Sequence, residues 1–100
     1  KAGIIAFTKS LAADGAPLGI RVNCICPGYV DTPLMNIALQ EVKGLDQAII
    51  KQVPAQRMAT AAEIANGFVF LASDQASYVN GANLVIDGAA TVGFGGSYID

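Results

Sequence analysis

At 100 residues the chain has room for one small domain, and it is lopsided in composition, 53% hydrophobic against 14% charged. Six basic and eight acidic residues leave a net charge of −2 without a basic cluster, which argues against nucleic-acid binding and polybasic membrane attachment. No apolar run approaches the roughly 18 residues of a membrane span and no signal peptide is visible, so the expected location is cytoplasmic. So much apolar surface on so short a chain is expected to meet further protein.

Residues 2 to about 14 read as a helix, with Ile4, Phe7 and Leu11 on one stripe and Ala2, Ala6 and Ala13 on a small-residue face. The helical pattern is already running at Ala2 with no N-cap residue before it, and Lys1 is not an initiator methionine. The expectation is a piece of a longer protein. Gly15 is a natural C-terminal cap, and Pro17 should prevent the helix from restarting.

The β-branched, apolar run Ile20 to Cys26 has the length and composition of a buried strand. Cys24 and Cys26 are the only cysteines and would share one face of it. With no histidine in the chain a metal site is not expected, and the pair reads as buried thiols, with a redox role as the alternative. Pro27-Gly28 should stop the strand, and Thr32-Pro33 should open a helix, Thr32 as N-cap and Pro33 at the first helical position. Strand, Pro-Gly turn and helix start in succession are how open α/β sheets build ligand sites at the carboxyl ends of their strands.

A short apolar helix follows to about Gln40. Residues 41 to 58 are interrupted by Gly44 and Pro54, and read equally as a lid over a pocket or as an ordinary pair of surface helices. Thr60-Ala61-Ala62-Glu63 is a capping box that starts a helix running to about Ser73, with Ile64, Phe68 and Leu71 toward the core. Phe70 falls on the polar side, either simply exposed or in a subunit contact. Asn80-Gly81 marks a turn, and Asn83 to Asp87 a second strand. A long helical crossover makes the two strands parallel. The tail, about 89–100, is glycine-rich but is no phosphate loop, since no strand leads into it and no helix follows. It reads as an extended arm with Phe94 and Tyr98 docking.

Taken together these pieces resemble the short-chain dehydrogenases/reductases from Lys1 to about Gly88. Lys1-Ala2-Gly3 with Phe7-Thr8-Lys9-Ser10-Leu11-Ala12 is similar to the helix that opens with the lysine of that family's Tyr-x-x-x-Lys motif. Gly19-Ile20-Arg21-Val22-Asn23, Pro27-Gly28, Val30 and Thr32-Pro33 resemble its sixth strand and nicotinamide-binding turn. Ala62-Glu63-Ile64-Ala65, Phe70-Leu71-Ala72-Ser73-Asp74, Tyr78-Val79-Asn80-Gly81 and Asp87-Gly88 resemble its last helix and seventh strand.

The resemblance implies an α/β fold, the C-terminal part of a Rossmann-type doubly wound parallel sheet, with residues 1–100 belonging to a single NAD(P)-binding domain. It implies hydride transfer between NAD or NADP and a small-molecule alcohol or carbonyl. Lys1 takes the family's lysine role, holding the nicotinamide ribose and lowering the pKa of a tyrosine four residues upstream. The turn from Pro27 through Gly28 to Val30 sets backbone groups beside the carboxamide, and the Thr32 hydroxyl bonds the carboxamide or a phosphate while also capping its helix. Without the upstream tyrosine and serine, these 100 residues should not turn over alone. A homotetramer is implied for the full-length protein. Two other readings stand beside this one, a non-enzymatic nucleotide-sensing or scaffold protein of the same fold, and a free-standing interaction module.

Overall fold

The structure, a computed structural model, describes residues 1–92. Phe94 and Tyr98 therefore lie outside the described residues. In chain order the elements are α1 (Ala2–Gly15), a 3-10 turn (Ala16–Leu18), β1 (Cys24–Pro27), β2 (Val30–Asp31), α2 (Pro33–Glu41), α3 (Leu45–Gln52), β3 (Ala59–Thr60), α4 (Ala61–Ala72), a second 3-10 turn (Asp74–Ala76) and β4 (Asn83–Ile86). Strand β1 pairs with β4, and β2 with β3. The bonds Cys24 N–H to Ala82 O and Gly28 N–H to Ile86 O advance four residues on each strand together, so β1 and β4 run parallel. Among the described residues no helix is long and apolar enough to cross a membrane. The chain divides into two compact units, Lys1–Cys26 with Ala65–Val85, and Pro27–Ile64 with the residues from Ile86 on.

In the first unit, the buried residues of α1 belong to neither of the two stripes read from the sequence. Thr8 and Ala12 are buried, whereas Ile4 is 63% and Phe7 65% exposed. The buried face carries small side chains because neighbouring backbone comes close: a Cβ on Gly81 would lie 3.4 Å from that of Ala12. The Thr8 hydroxyl donates to Ile4 O at 2.8 Å, which satisfies it inside the helix. Gly15 stays right-handed and helical, and Pro17 lies inside the 3-10 turn. The left-handed cap is Gly19, at φ +78°, four residues later than expected.

Strand β1 begins at Cys24 rather than Ile20 because the residues before it bond to side chains and loops. Arg21 donates to Val79 O and Ser73 O at 3.2 and 3.3 Å. Val22 N–H donates to Asn80 Oδ1, and Asn23 both donates to Val79 O and accepts from Ala82 N–H. These side chains align 21–23 with 79–82, and a regular ladder starts only where they end. Cys24 and Cys26 are free thiols and half-buried rather than buried. On α4, Ile64 and Leu71 are half-buried, but Phe68, expected in the core, is 59% exposed.

In the second unit, residues 45–52 form the regular helix α3, with Asp46 in its first turn and Lys51 in its last, both favourable to the helix dipole. The segment between Glu41 and Ala59 thus holds the second of two helices, joined through Gly44 at φ +80°. Among the described residues, Ile49 and Val53 are this unit's buried apolar residues. Each such burial stabilises by roughly 1.5–3 kcal/mol. Beyond α3 the chain is irregular, with Gln56 at φ +64° and Ala55 N–H bonded to Gly88 O at 3.2 Å. The capping box forms as expected: Glu63 N–H donates to Thr60 Oγ1 at 3.1 Å, and Thr60 N–H to Glu63 Oε1 at 2.9 Å.

Candidate functional site

Four of the five residues singled out in the sequence, Pro27, Gly28, Val30 and Thr32, lie on one turn of the second unit. Gly28 N–H donates to Ile86 O at 2.9 Å, which ties the start of the turn to the end of β4. A Cβ on Gly28 would lie 2.7 Å from the Cβ and 2.9 Å from the Cα of Asp87. The glycine is therefore required by a close backbone crossing, not by the sharp bend expected from the sequence. Asp87 is itself held, since its carboxylate accepts from Ala89 N–H, Thr91 N–H and the Thr91 hydroxyl.

The far side of the turn is set by the short parallel pair β2–β3, in which Val30 lies opposite Ala59 and Asp31 opposite Thr60. Ala59 N–H donates to Tyr29 O at 2.9 Å. Tyr29 stands between Gly28 and Val30 in this turn. Its hydroxyl donates to Gln52 Oε1 at 2.8 Å, and its ring lines a cavity of about 160 Å3 together with Val53, Arg57, Glu63 and Asp87. That volume suits a few waters and not a nucleotide. A larger hollow of about 520 Å3 in the first unit, beside Arg21 and Tyr78, contains none of the five predicted residues.

Thr32 is extended (φ −132°, ψ 162°), and its Oγ1 accepts from Met35 N–H at 3.2 Å, the N-cap bond expected of it. With one lone pair used this way, the hydroxyl hydrogen remains for an outside acceptor. Pro33 occupies the first helical position, and the N-terminus of α2 adds a partial positive charge beside that hydroxyl. Donor and dipole together suit an acceptor oxygen such as that of a carboxamide or a phosphate. Lys1 belongs to the other unit. It is exposed at the N-cap position of α1, where its carbonyl accepts from Ile5 N–H at 3.0 Å.

Arg57 lies in the irregular segment just before β3, and its guanidinium fork is already filled. Nη1 and Nη2 reach the two oxygens of Glu63 at 2.7 and 2.8 Å. Arg57 first, then Thr60 N–H, hold the Glu63 carboxyl well below the usual carboxylate range, at about 2. Sequence reading assigned Glu63 to the capping box and missed this second partner. The six-residue separation crosses a helix start and matches no regular side-chain spacing.

Residues 1–91 match a family model described as Enoyl-(Acyl carrier protein) reductase. The chain belongs to the short-chain dehydrogenase/reductase family. Short-chain dehydrogenase RED2 of Pyricularia oryzae is 47% identical over 92 residues, which cover 92% of this chain and 33% of that protein. The 2-(R)-hydroxypropyl-CoM dehydrogenase of Xanthobacter autotrophicus is 43% identical over 91% of this chain and 36% of its own length. Among solved structures, a putative 2-deoxy-d-gluconate 3-dehydrogenase from Agrobacterium tumefaciens with bound NADP superposes with a TM-score of 0.84. It is 39% identical and covers 92% of this chain and 37% of that one. This member of the short-chain dehydrogenases/reductases thus has the Rossmann-type α/β fold, and spans about a third of the length of the curated relatives it matches.

Proposed function

We propose that this chain is the C-terminal part of a single-domain NAD(P)-dependent oxidoreductase, and that it supplies one wall of the nicotinamide site. The observation that carries this reading is the Thr32 hydroxyl, capped from within by Met35 N–H and with its own hydrogen unspent, at the start of α2. When bound, NAD(P) gives or takes the hydride that interconverts an alcohol and a carbonyl compound. Thr32 donates to the carboxamide or a phosphate, and Pro27, Gly28 and Val30 flank the ring with backbone and apolar groups.

Lys1 holds the ribose hydroxyls and, by its positive charge, favours the ionised form of a tyrosine one helical turn upstream. The 100 residues alone do not turn over, since they carry neither that tyrosine nor the carbonyl-polarising serine. Leu34 and Ile37, exposed on the helix that Thr32 caps, offer an apolar surface to the substrate. With Arg57 committed to Glu63, that arginine does not select a substrate carboxylate. The enzyme works in the cytoplasm as a homotetramer, and the exposed Phe7, Phe68 and Phe70 are the surfaces its contacts would cover.

The test uses the full-length protein, titrated with NADH and NADPH and followed by nicotinamide fluorescence, then assayed with small alcohols and carbonyl compounds. Binding and turnover are expected. Binding without turnover on any substrate would favour the nucleotide-sensing alternative, and no binding of either cofactor would overturn both.

A further inference from the structure

The turn that carries Thr32 has little regular structure behind its far side. Its far side rests on β3, two residues long, and the segment leading into β3 is irregular. Ala59 makes the bond that matters, since its N–H holds Tyr29 O in the middle of the turn. The residues on both sides of Ala59 are fixed to one ion pair. Arg57 Nη1 donates to Met58 O at 3.1 Å, and Glu63 accepts from Thr60 N–H at 2.9 Å and from the Thr60 hydroxyl at 3.3 Å. Arg57 and Glu63 are joined to each other through both oxygens.

We infer that Arg57 and Glu63 form a clamp that sets the position of the cofactor turn through Ala59 and Thr60, making them positioning residues for the proposed nicotinamide site. The inference rests on the cofactor reading of Thr32 given above. Stability is not the purpose of such a pair: its side chains are 59% and 42% exposed, and exposed ion pairs contribute little. What it supplies is geometry. A bidentate arginine–carboxylate contact has one preferred plane, and here that plane is tied to the backbone at 58 and 60. A small misplacement of a ligand-binding group can lower activity by as much as a hundredfold, so a weak pair can matter more to the site than to the fold.

The experiment uses the full-length protein with Glu63→Gln and, as a second variant, Arg57→Lys, which keeps the charge but loses the fork. Amide hydrogen exchange over residues 28–32 is measured without cofactor, and cofactor affinity is measured alone and combined with Thr32→Val. Faster exchange at 28–32 is expected, with affinity weaker by about tenfold, or roughly 1.4 kcal/mol. That loss should largely vanish in the Thr32→Val background, because the clamp acts through that turn. Unchanged exchange at 28–32 in both variants, or losses that simply add to that of Thr32→Val, would overturn the clamp. Wild-type affinity in Thr32→Val alone would instead sink the cofactor role of Thr32, while the exchange result still decides whether the clamp exists.

Discussion

Gly28→Ala puts one methyl group where the chain crosses itself. The new Cβ would stand 2.7 Å from Asp87 Cβ and 2.9 Å from Asp87 Cα, about 0.7 Å short of ordinary contact at the first of these. Neither neighbour is the far end of a flexible side chain, so no rotamer change relieves the overlap. Retreat of residue 28 would stretch its 2.9 Å bond to Ile86 O, and retreat of residue 87 would disturb the carboxylate that accepts from Ala89 and Thr91. Overpacking of this kind costs about 1–3 kcal/mol. For proteins of about 150–250 residues each kcal/mol lowers Tm by roughly 2–4 °C, and no more than that in a somewhat longer chain. The assay is thermal unfolding of the full-length protein with and without cofactor. The variant should melt several degrees lower, and saturating cofactor should restore less stability than in wild type because the turn has moved. A Gly28→Ala protein with wild-type Tm and wild-type cofactor affinity would refute the close-crossing argument.

Lys1→Ala should cut turnover and move to higher pH the limb of the pH–rate profile that the tyrosine governs, the acid limb for alcohol oxidation and the alkaline limb for carbonyl reduction. Removing a positive charge raises the pKa of the tyrosine it serves, and an unmoved limb would rule out tuning by Lys1. Phe70→Glu should lower the mass of the full-length assembly in light scattering, and an unchanged mass would reject Phe70 as an interface residue. The Glu63 carboxyl is held down to about 2 by Arg57, so the small, solvent-screened stabilisation from this exposed pair is present above its unfolded pKa near 4.5 and is lost as pH falls toward 2. Glu63→Gln should therefore flatten the stability–pH curve in that acid window and leave its shape near neutrality alone. An identical acid limb in the variant would show that the carboxylate is not held as the geometry indicates.

What could be read from the chain was what a few neighbouring residues decide among themselves. Thr32 before Pro33 and Thr60 before Glu63 are complete signals, each satisfied within four residues, and both caps formed as expected. The resemblance to the short-chain dehydrogenases/reductases also rested on such short motifs, and the family match runs through the same residues. The misreadings come from contacts distant in sequence. Two stripes are legible on α1, Ile4 and Phe7 on one and alanines on the other, whereas the buried residues are Thr8 and Ala12, the latter close to Gly81. The late start of β1 depends on Arg21 and Asn23 reaching residues more than 50 positions away. Pro27-Gly28 is legible as a turn, but what requires glycine at 28, the close approach of Asp87, lies 59 residues downstream. The β2–β3 pair is too short to leave a pattern, and with it the Arg57–Glu63 clamp was hidden.

If the Thr32 hydroxyl binds cofactor in addition to capping α2, one substitution separates the two roles. Thr32→Asp keeps a good N-cap, but its ionised carboxylate only accepts hydrogen bonds and has no donor for a carboxamide oxygen or a phosphate. Cofactor dissociation constants and Tm would be measured on full-length wild type, Thr32→Ser and Thr32→Asp. The account predicts near-normal Tm in both variants, near-normal affinity in Thr32→Ser, and at least about tenfold weaker binding in Thr32→Asp. Wild-type affinity in Thr32→Asp would contradict it and leave Thr32 with the cap alone.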